Sequence, residues 1–167
     1  LDTPLAIYGS FVVPPSYVRG SAASQHSFGD KAIDIHPNMS KPFDENLRER
    51  IVKAIASAGY EARDKGIYIY NGGDAFETPE EIAILDHLTQ IFKPADRLVG
   101  MTTVPETILL KQLKIPFATI CSNVNYAEGL SKETLVSHEQ TMKIMEIAGE
   151  YVINVAKEII KSYSQRS

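Results

Sequence analysis

Residues 71–81 read Asn71-Gly72-Gly73-Asp74-Ala75-Phe76-Glu77-Thr78-Pro79-Glu80-Glu81; after a helical spacer, residues 99–106 read Val99-Gly100-Met101-Thr102-Thr103-Val104-Pro105-Glu106. Tyr68-Ile69-Tyr70 is a β-prone run, and Asn71-Gly72-Gly73 is the turn that leaves it. Thr78, with Glu81 three residues on and Pro79 at the first helical position, spells a capping box. The second stretch repeats the design. Leu98-Val99-Gly100 ends a strand, and Thr103 and Glu106 bracket Pro105 at the next helix start, which makes Thr103 the expected cap. Strand, turn and capped helix in succession imply an alternating α/β sheet. In such sheets ligands sit at the carboxyl ends of strands, beside helix N-termini that favour anions. Phe76, Glu77, Met101 and Thr102 all occupy such ends.

Upstream, Leu5 to Val13 is rich in Ile, Val, Phe and Tyr and predicts a strand that Pro14-Pro15 stops. Residues 19–30 are small and polar, which marks a solvated loop or, alternatively, a lid. Lys31 to His36 suggests a short strand. Asp44 caps the next helix, whose Leu47, Ile51, Ile55 and Ala58 recur at helical spacing until Gly59 stops it. The helix from Pro79 to about Phe92 carries an apolar stripe of Ile82, Leu85, Leu88 and Ile91. A strand over 97–100 leads into a helix that ends near Leu113. Pro116 to Cys121 is a continuous apolar run, as for a strand covered on both faces. It ends in the polar residues Ser122 to Asn125. Ser137 and Gln140 form a second capping box at the last helix, where Met145, Ala148, Val152, Ala156 and Ile159 predict the buried face.

The chain has 167 residues, enough for one domain with a sizeable core. Its 17 basic against 21 acidic residues give a net charge of −4, which disfavours nucleic acid and acidic membranes as partners. Cys121 is the lone cysteine, so no internal disulfide framework exists and a reducing, cytoplasmic setting is expected. No apolar run is long enough to span a bilayer. His26, His36 and His87 lack the spacing of metal ligands, so no metal site is expected.

The runs Gly73-Asp74-Ala75-Phe76-Glu77-Thr78-Pro79-Glu80-Glu81 and Gly100-Met101-Thr102-Thr103-Val104-Pro105-Glu106 resemble the signatures of the trimeric purine nucleoside phosphorylase and methylthioadenosine phosphorylase family. Ser122-Asn123-Val124-Asn125-Tyr126-Ala127-Glu128-Gly129 and Ser137-His138-Glu139 fit the same pattern in the same order. The resemblance implies a single α/β domain over residues 1–167, a mixed twisted sheet flanked by helices. It also implies phosphorolysis of a purine nucleoside to free base and ribose 1-phosphate, with inorganic phosphate as co-substrate and no cofactor. A homo-oligomer of the trimer type is the corresponding assembly.

Taken alone, Glu77 is an acid near a helix N-terminus, worth up to about 1 kcal/mol through the dipole. The resemblance makes it the acceptor of the N1–H of a 6-oxopurine; adenine has a lone pair there and would be opposed. Phe76 is a core aromatic or the wall of the base. Asn125 shapes a turn, or, by resemblance, donates to N7 or O6 of the base where charge builds as the glycosidic bond breaks. Adenine-type members carry aspartate at the positions of Asn125 and Ala127. By the same resemblance Met101 holds ribose, Thr102 phosphate, and His138 the sugar 5′-hydroxyl. The resembled family has roughly a hundred further residues upstream, a substantial part of a domain. That segment holds a glycine-rich phosphate loop and further strands. Association with it, or with another chain, is therefore expected. A methylthio-nucleoside substrate and a non-catalytic nucleoside-binding module are the alternative readings.

Overall fold

The computed structural model describes residues 9–20, 27–72, 75–130 and 138–164. Its frame is a parallel strand pair with a break in the middle. β1 (Ser10–Val12) runs beside β3 (Glu61–Arg63), and β2 (Ser16–Arg19) beside β4 (Gly66–Tyr70). Ser10 faces Glu61 and Ser16 faces Ile67, so the register is the same on both sides of the break. The cause is local: Pro14 and Pro15 have no N–H to donate, so the ladder lapses after Val13 donates to the Arg63 carbonyl at 2.8 Å.

Arg48 fills the gap. It projects from α1 (Glu45–Ser57), donating Nε–H to the Pro14 carbonyl at 3.0 Å and Nη2–H to those of Val13 and Asp64, each at 3.0 Å. Gly66 is needed where the ribbon resumes, because a Cβ there would stand 2.7 Å from Cγ1 of Val12. α1 itself starts where expected, with Asp44 Oδ1 accepting from the Leu47 N–H at 2.8 Å. It ends at Gly59, whose φ of +85° favours glycine.

α2 (Pro79–Gln90) follows β4, β5 (Asp96–Gly100) pairs with it in parallel, and α3 (Thr103–Gln112) follows β5. β6 (Cys121–Ser122) runs antiparallel to β1, and α4 (His138–Ser164) closes the described chain. The strand orders are β3-β1-β6 and β2-β4-β5. The fold is thus mixed α/β with helices flanking the sheets, as the sequence predicts. Alternation along β1 divides the core. Phe11 and Val13 pack with Ile51, Ala54, Ile55 and Val155 of α1 and α4, while Val12 joins Tyr68, Tyr70, Leu98 and Val104.

Several expectations are corrected. The strand expected from Leu5 begins at Ser10 among the described residues, and 1–8 lie outside them. The stop expected at Pro14-Pro15 is only an interruption: Ser16–Arg19, with Arg19 expected in a loop, resumes the ribbon because the prolines break the ladder without turning the chain away. Residues 31–36 form no strand. Gly29–Lys31 is a 3-10 turn, Ile33 and Ile35 are exposed, and Asp34 Oδ1 accepts from the His36 N–H at 3.2 Å, closing a local turn instead. Of Pro116 to Cys121 only Cys121 lies in a strand, with Ser122.

The helix faces also differ. In α2, Ile82, Leu85 and Thr89 are buried, whereas Leu88 is 54% exposed and Ile91 76%. The Thr89 hydroxyl is satisfied by donating to the Leu85 carbonyl at 3.0 Å, so a polar residue takes the inward position. In α4, Ala148 and Val155 are buried, with Tyr151 and Ile159 packed beside them; Met145, Val152 and Ala156 are exposed. The helix is apolar on two adjoining faces, and periodicity alone does not choose between them. Ser137 lies outside the described residues.

Candidate functional site

The ends of the parallel strands β4 and β5, and the segment that follows the antiparallel β6, supply the candidate rim. Beyond β4 stand Asn71 and Gly72, then, past residues 73–74, which are not described, Ala75, Phe76 and Glu77. Beyond β5 come Met101 and Thr102, and beyond β6 the half-buried run 123–128. Specific bonds hold these ends together. The Asn71 N–H donates to the Gly100 carbonyl at 3.1 Å, which ties the first loop to the second. The Gly20 N–H donates to the Tyr70 carbonyl at 2.6 Å, adding the end of β2. Gly129, at φ +78°, lies against the start of α2; a Cβ there would stand 2.9 Å from that of Pro79. The segment that carries Asn125 thus ends against the start of α2, two residues beyond Glu77.

Tyrosine hydroxyls explain two of the glycines. Tyr68 and Tyr70, two residues apart, share one face of β4. The Tyr68 hydroxyl fills the space a side chain at Gly100 would need, and the Tyr70 hydroxyl does the same at Gly72.

At the base of α2, Thr78 and Glu81 satisfy one another. The Thr78 N–H donates to Glu81 Oε2 at 2.7 Å and the Glu81 N–H to Thr78 Oγ1 at 3.2 Å. Glu77 is thus left out of the cap. Its Oε1 accepts from Asn71 Nδ2 at 3.5 Å, and Oε2 has no partner among the described residues. Phe76 beside it is 47% exposed, so it is not a core aromatic within the described residues.

At α3 the expected cap is corrected. Thr103 is the first helical residue and is buried; Thr102 takes the N-cap place but makes no side-chain cap bond. Thr102 itself is exposed, and its hydroxyl has no partner among the described residues, while Thr103 and Val104 carry the start of the helix inward. Met101 is 38% exposed. Asn125 donates from Nδ2 to the Tyr126 carbonyl at 2.9 Å, which commits one amide hydrogen to its own loop and leaves the second without a partner among the described residues. His138 opens α4, and its side chain lies outside the described residues. Asn71 and the two tyrosines were not singled out from sequence; the alternation Tyr68-Ile69-Tyr70-Asn71 before the glycines was their signal.

Among the described residues no group of three or more His, Cys, Asp and Glu could hold a metal, and no helix is long and apolar enough to cross a membrane. Cys121, at the foot of the third loop, packs against the second core. Burial pushes its thiol up from 9.0 to about 11, partly offset by a hydrogen bond with Thr119. The native state therefore keeps a proton that the unfolded chain releases near 9.0. The resulting stability is complete below 9.0 and lost as pH rises toward 11. Urea midpoints on the two sides of that window should fall with rising pH, and Cys121→Ala should flatten the trend.

A family model described as the phosphorylase superfamily matches residues 7–161. The chain is similar to a probable S-methyl-5'-thioinosine phosphorylase of Methanocaldococcus jannaschii, 31% identical over 152 residues, which cover 91% of this chain and 57% of that protein. It is also similar to a probable 6-oxopurine nucleoside phosphorylase of Dictyoglomus turgidum, 30% identical over 82% of this chain and 50% of that protein. The chain thus spans roughly half the length of these relatives. Among solved structures, a mutant adenosine/methylthioadenosine phosphorylase of Schistosoma mansoni in complex with tubercidin superposes with a TM-score of 0.78. It covers 98% of this chain and 64% of its own, at 18% identity, a likeness of fold.

Proposed function

The chain belongs to the phosphorylase superfamily, and from that premise we propose that it supplies the base and sugar side of a purine nucleoside phosphorylase acting on 6-oxopurine nucleosides. One observation carries this reading. Glu77 stands beyond a strand end and outside the capping box, with Oε2 unpartnered among the described residues and Phe76 exposed beside it. An ionised carboxylate there suits the N1–H of hypoxanthine or guanine and repels the N1 lone pair of adenine.

In the proposed reaction a phosphate oxygen bonds to C1′ as the C1′–N9 bond breaks, and the electron pair leaves with the base. Asn125 spends its second amide hydrogen on N7 or O6, where that charge collects. Phe76 walls the base and Met101 the ribose. Thr102 and the start of α3 offer donors to phosphate, and His138 is assigned to the sugar 5′-hydroxyl. Neither a covalent nucleophile nor a bound cofactor enters. The remaining phosphate donors are assigned to the part of the fold that the relatives have beyond this region, and a trimer-type assembly is the matching quaternary state.

The similarity to a thioinosine phosphorylase favours a second reading, methylthioinosine as substrate. That nucleoside has the same 6-oxopurine base, so the two readings differ only at the sugar. Phosphate-dependent release of base from inosine, guanosine, methylthioinosine and adenosine tests both. Inosine or guanosine should be turned over in preference to adenosine. A preference for adenosine would overturn the base assignment, and a preference for methylthioinosine over inosine would select the second reading.

A further inference from the structure

We propose that Asn71 is a positioning residue of the base site, whose side-chain amide sets which Glu77 oxygen faces a bound 6-oxopurine. The inference rests on the reading of Glu77 given above and adds to it the residue that orients the carboxylate.

Asn71 is the first residue beyond β4, and neighbours on both sides fix its backbone. The Tyr70 carbonyl before it accepts from Gly20, and its own N–H donates to the Gly100 carbonyl. Its side chain is therefore launched from a rigid point. Oδ1 lies toward Gly20, where a Cβ would stand 3.7 Å away. Nδ2 points along the loop to Glu77 Oε1 at 3.5 Å. A carboxylate only accepts, so the amide nitrogen is the end that belongs there.

A carboxylate whose oxygens are equivalent rotates between broad, twofold-related orientations. Asn71 breaks that equivalence by holding Oε1 and leaving Oε2 for the ligand. At 3.5 Å the bond is long, as catalytic hydrogen bonds often are before a ligand arrives. Without the amide, Glu77 is free to turn to solvent. Because the Asn71 N–H also grips Gly100, one residue links the alignment of the base acceptor to the loop bearing Met101 and Thr102.

Dissociation constants for hypoxanthine and adenine, measured by calorimetry on the native protein, test this. The set is wild type, Asn71→Leu, Asn71→Asp, Glu77→Gln and the Asn71→Leu/Glu77→Gln double variant. Asn71→Leu should weaken hypoxanthine about five- to tenfold, the effect of one net hydrogen bond of ordinary strength. Asn71→Asp has the same shape but sets an acceptor against the carboxylate, and should weaken it more. Adenine binding should stay within about twofold, which a general loss of structure would not allow. In the Glu77→Gln background, Asn71→Leu should add nothing further. If Glu77→Gln weakens hypoxanthine while neither Asn71 variant does, or the two losses simply add, Asn71 has no positioning role and the base site stands. If Glu77→Gln leaves hypoxanthine binding unchanged, or wild type binds neither base, the base-site reading itself fails and this inference with it.

Discussion

Arg48→Met should lower folding stability by about 3 kcal/mol, which for a chain of this size moves the melting temperature down roughly 6–12 °C. Methionine keeps the stem that packs along α1 but removes every donor. The carbonyls of Val13 and Pro14, both in residues that are fully buried, then lose their guanidinium partner. A charged donor contributes about 1.5–3 kcal/mol per bond, and an orphaned buried carbonyl costs a similar amount. The Asp64 carbonyl is more exposed and water replaces its bond at small loss. Arg48→Lys should recover little, since a single ammonium lacks the fork that reaches both strands. Paired thermal and urea melts decide the matter. An unchanged midpoint in Arg48→Met would mean that water closes the break and Arg48 only decorates it.

For the proposed reaction, Glu77→Gln should reduce kcat/KM for inosine about ten- to a hundredfold, the loss of one charge-assisted hydrogen bond to the base. The partner change is Asn125→Asp. A carboxylate facing O6 repels it unless protonated, so inosine turnover should fall. A protonated aspartate donates to N7 and accepts from a 6-amino group, so relative activity on adenosine should rise. The full exchange of substrate should need Glu77→Ser as well, because the two groups read one base edge jointly. The measurements are kcat/KM for both nucleosides in wild type, Glu77→Gln, Glu77→Ser, Asn125→Asp and the Glu77→Ser/Asn125→Asp double variant. An adenosine-to-inosine ratio that is constant across the set would remove both residues from the base site.

Local chemistry was the most legible part of this fold. Asp44 and Thr78 announce their helices because each side-chain oxygen has one nearby backbone N–H to serve, a relation that spans three residues. The strand ends at Tyr70 and Gly100 were equally plain. What sequence missed depends on partners distant in the chain. Pro14-Pro15 read as an end because nothing local reveals that Arg48 takes over the ladder's bonds. The inward face of α4 was misread because Met145 and Val155 are equally apolar, and only the position of Phe11 and Ile55 selects one. Asn71 escaped notice because its relation to Glu77 crosses a loop whose course the sequence does not specify.

The broken ribbon also bears on how the chain finds its fold. Parallel pairing of β1 with β3 must close a loop of about fifty residues before any bond forms, an entropic charge that makes such contacts slow. The two halves keep one register across the prolines, so that charge falls due only once. When Ser10–Val12 meets Glu61–Arg63, the Ser16–Arg19 segment is already aligned with its own partner a few residues away. Arg48 lies within the closing loop, on the helix that forms the crossover, and its three bonds cannot form until both strands are in place. It is a late latch, not part of the nucleus, and its loss should speed unfolding far more than it slows folding.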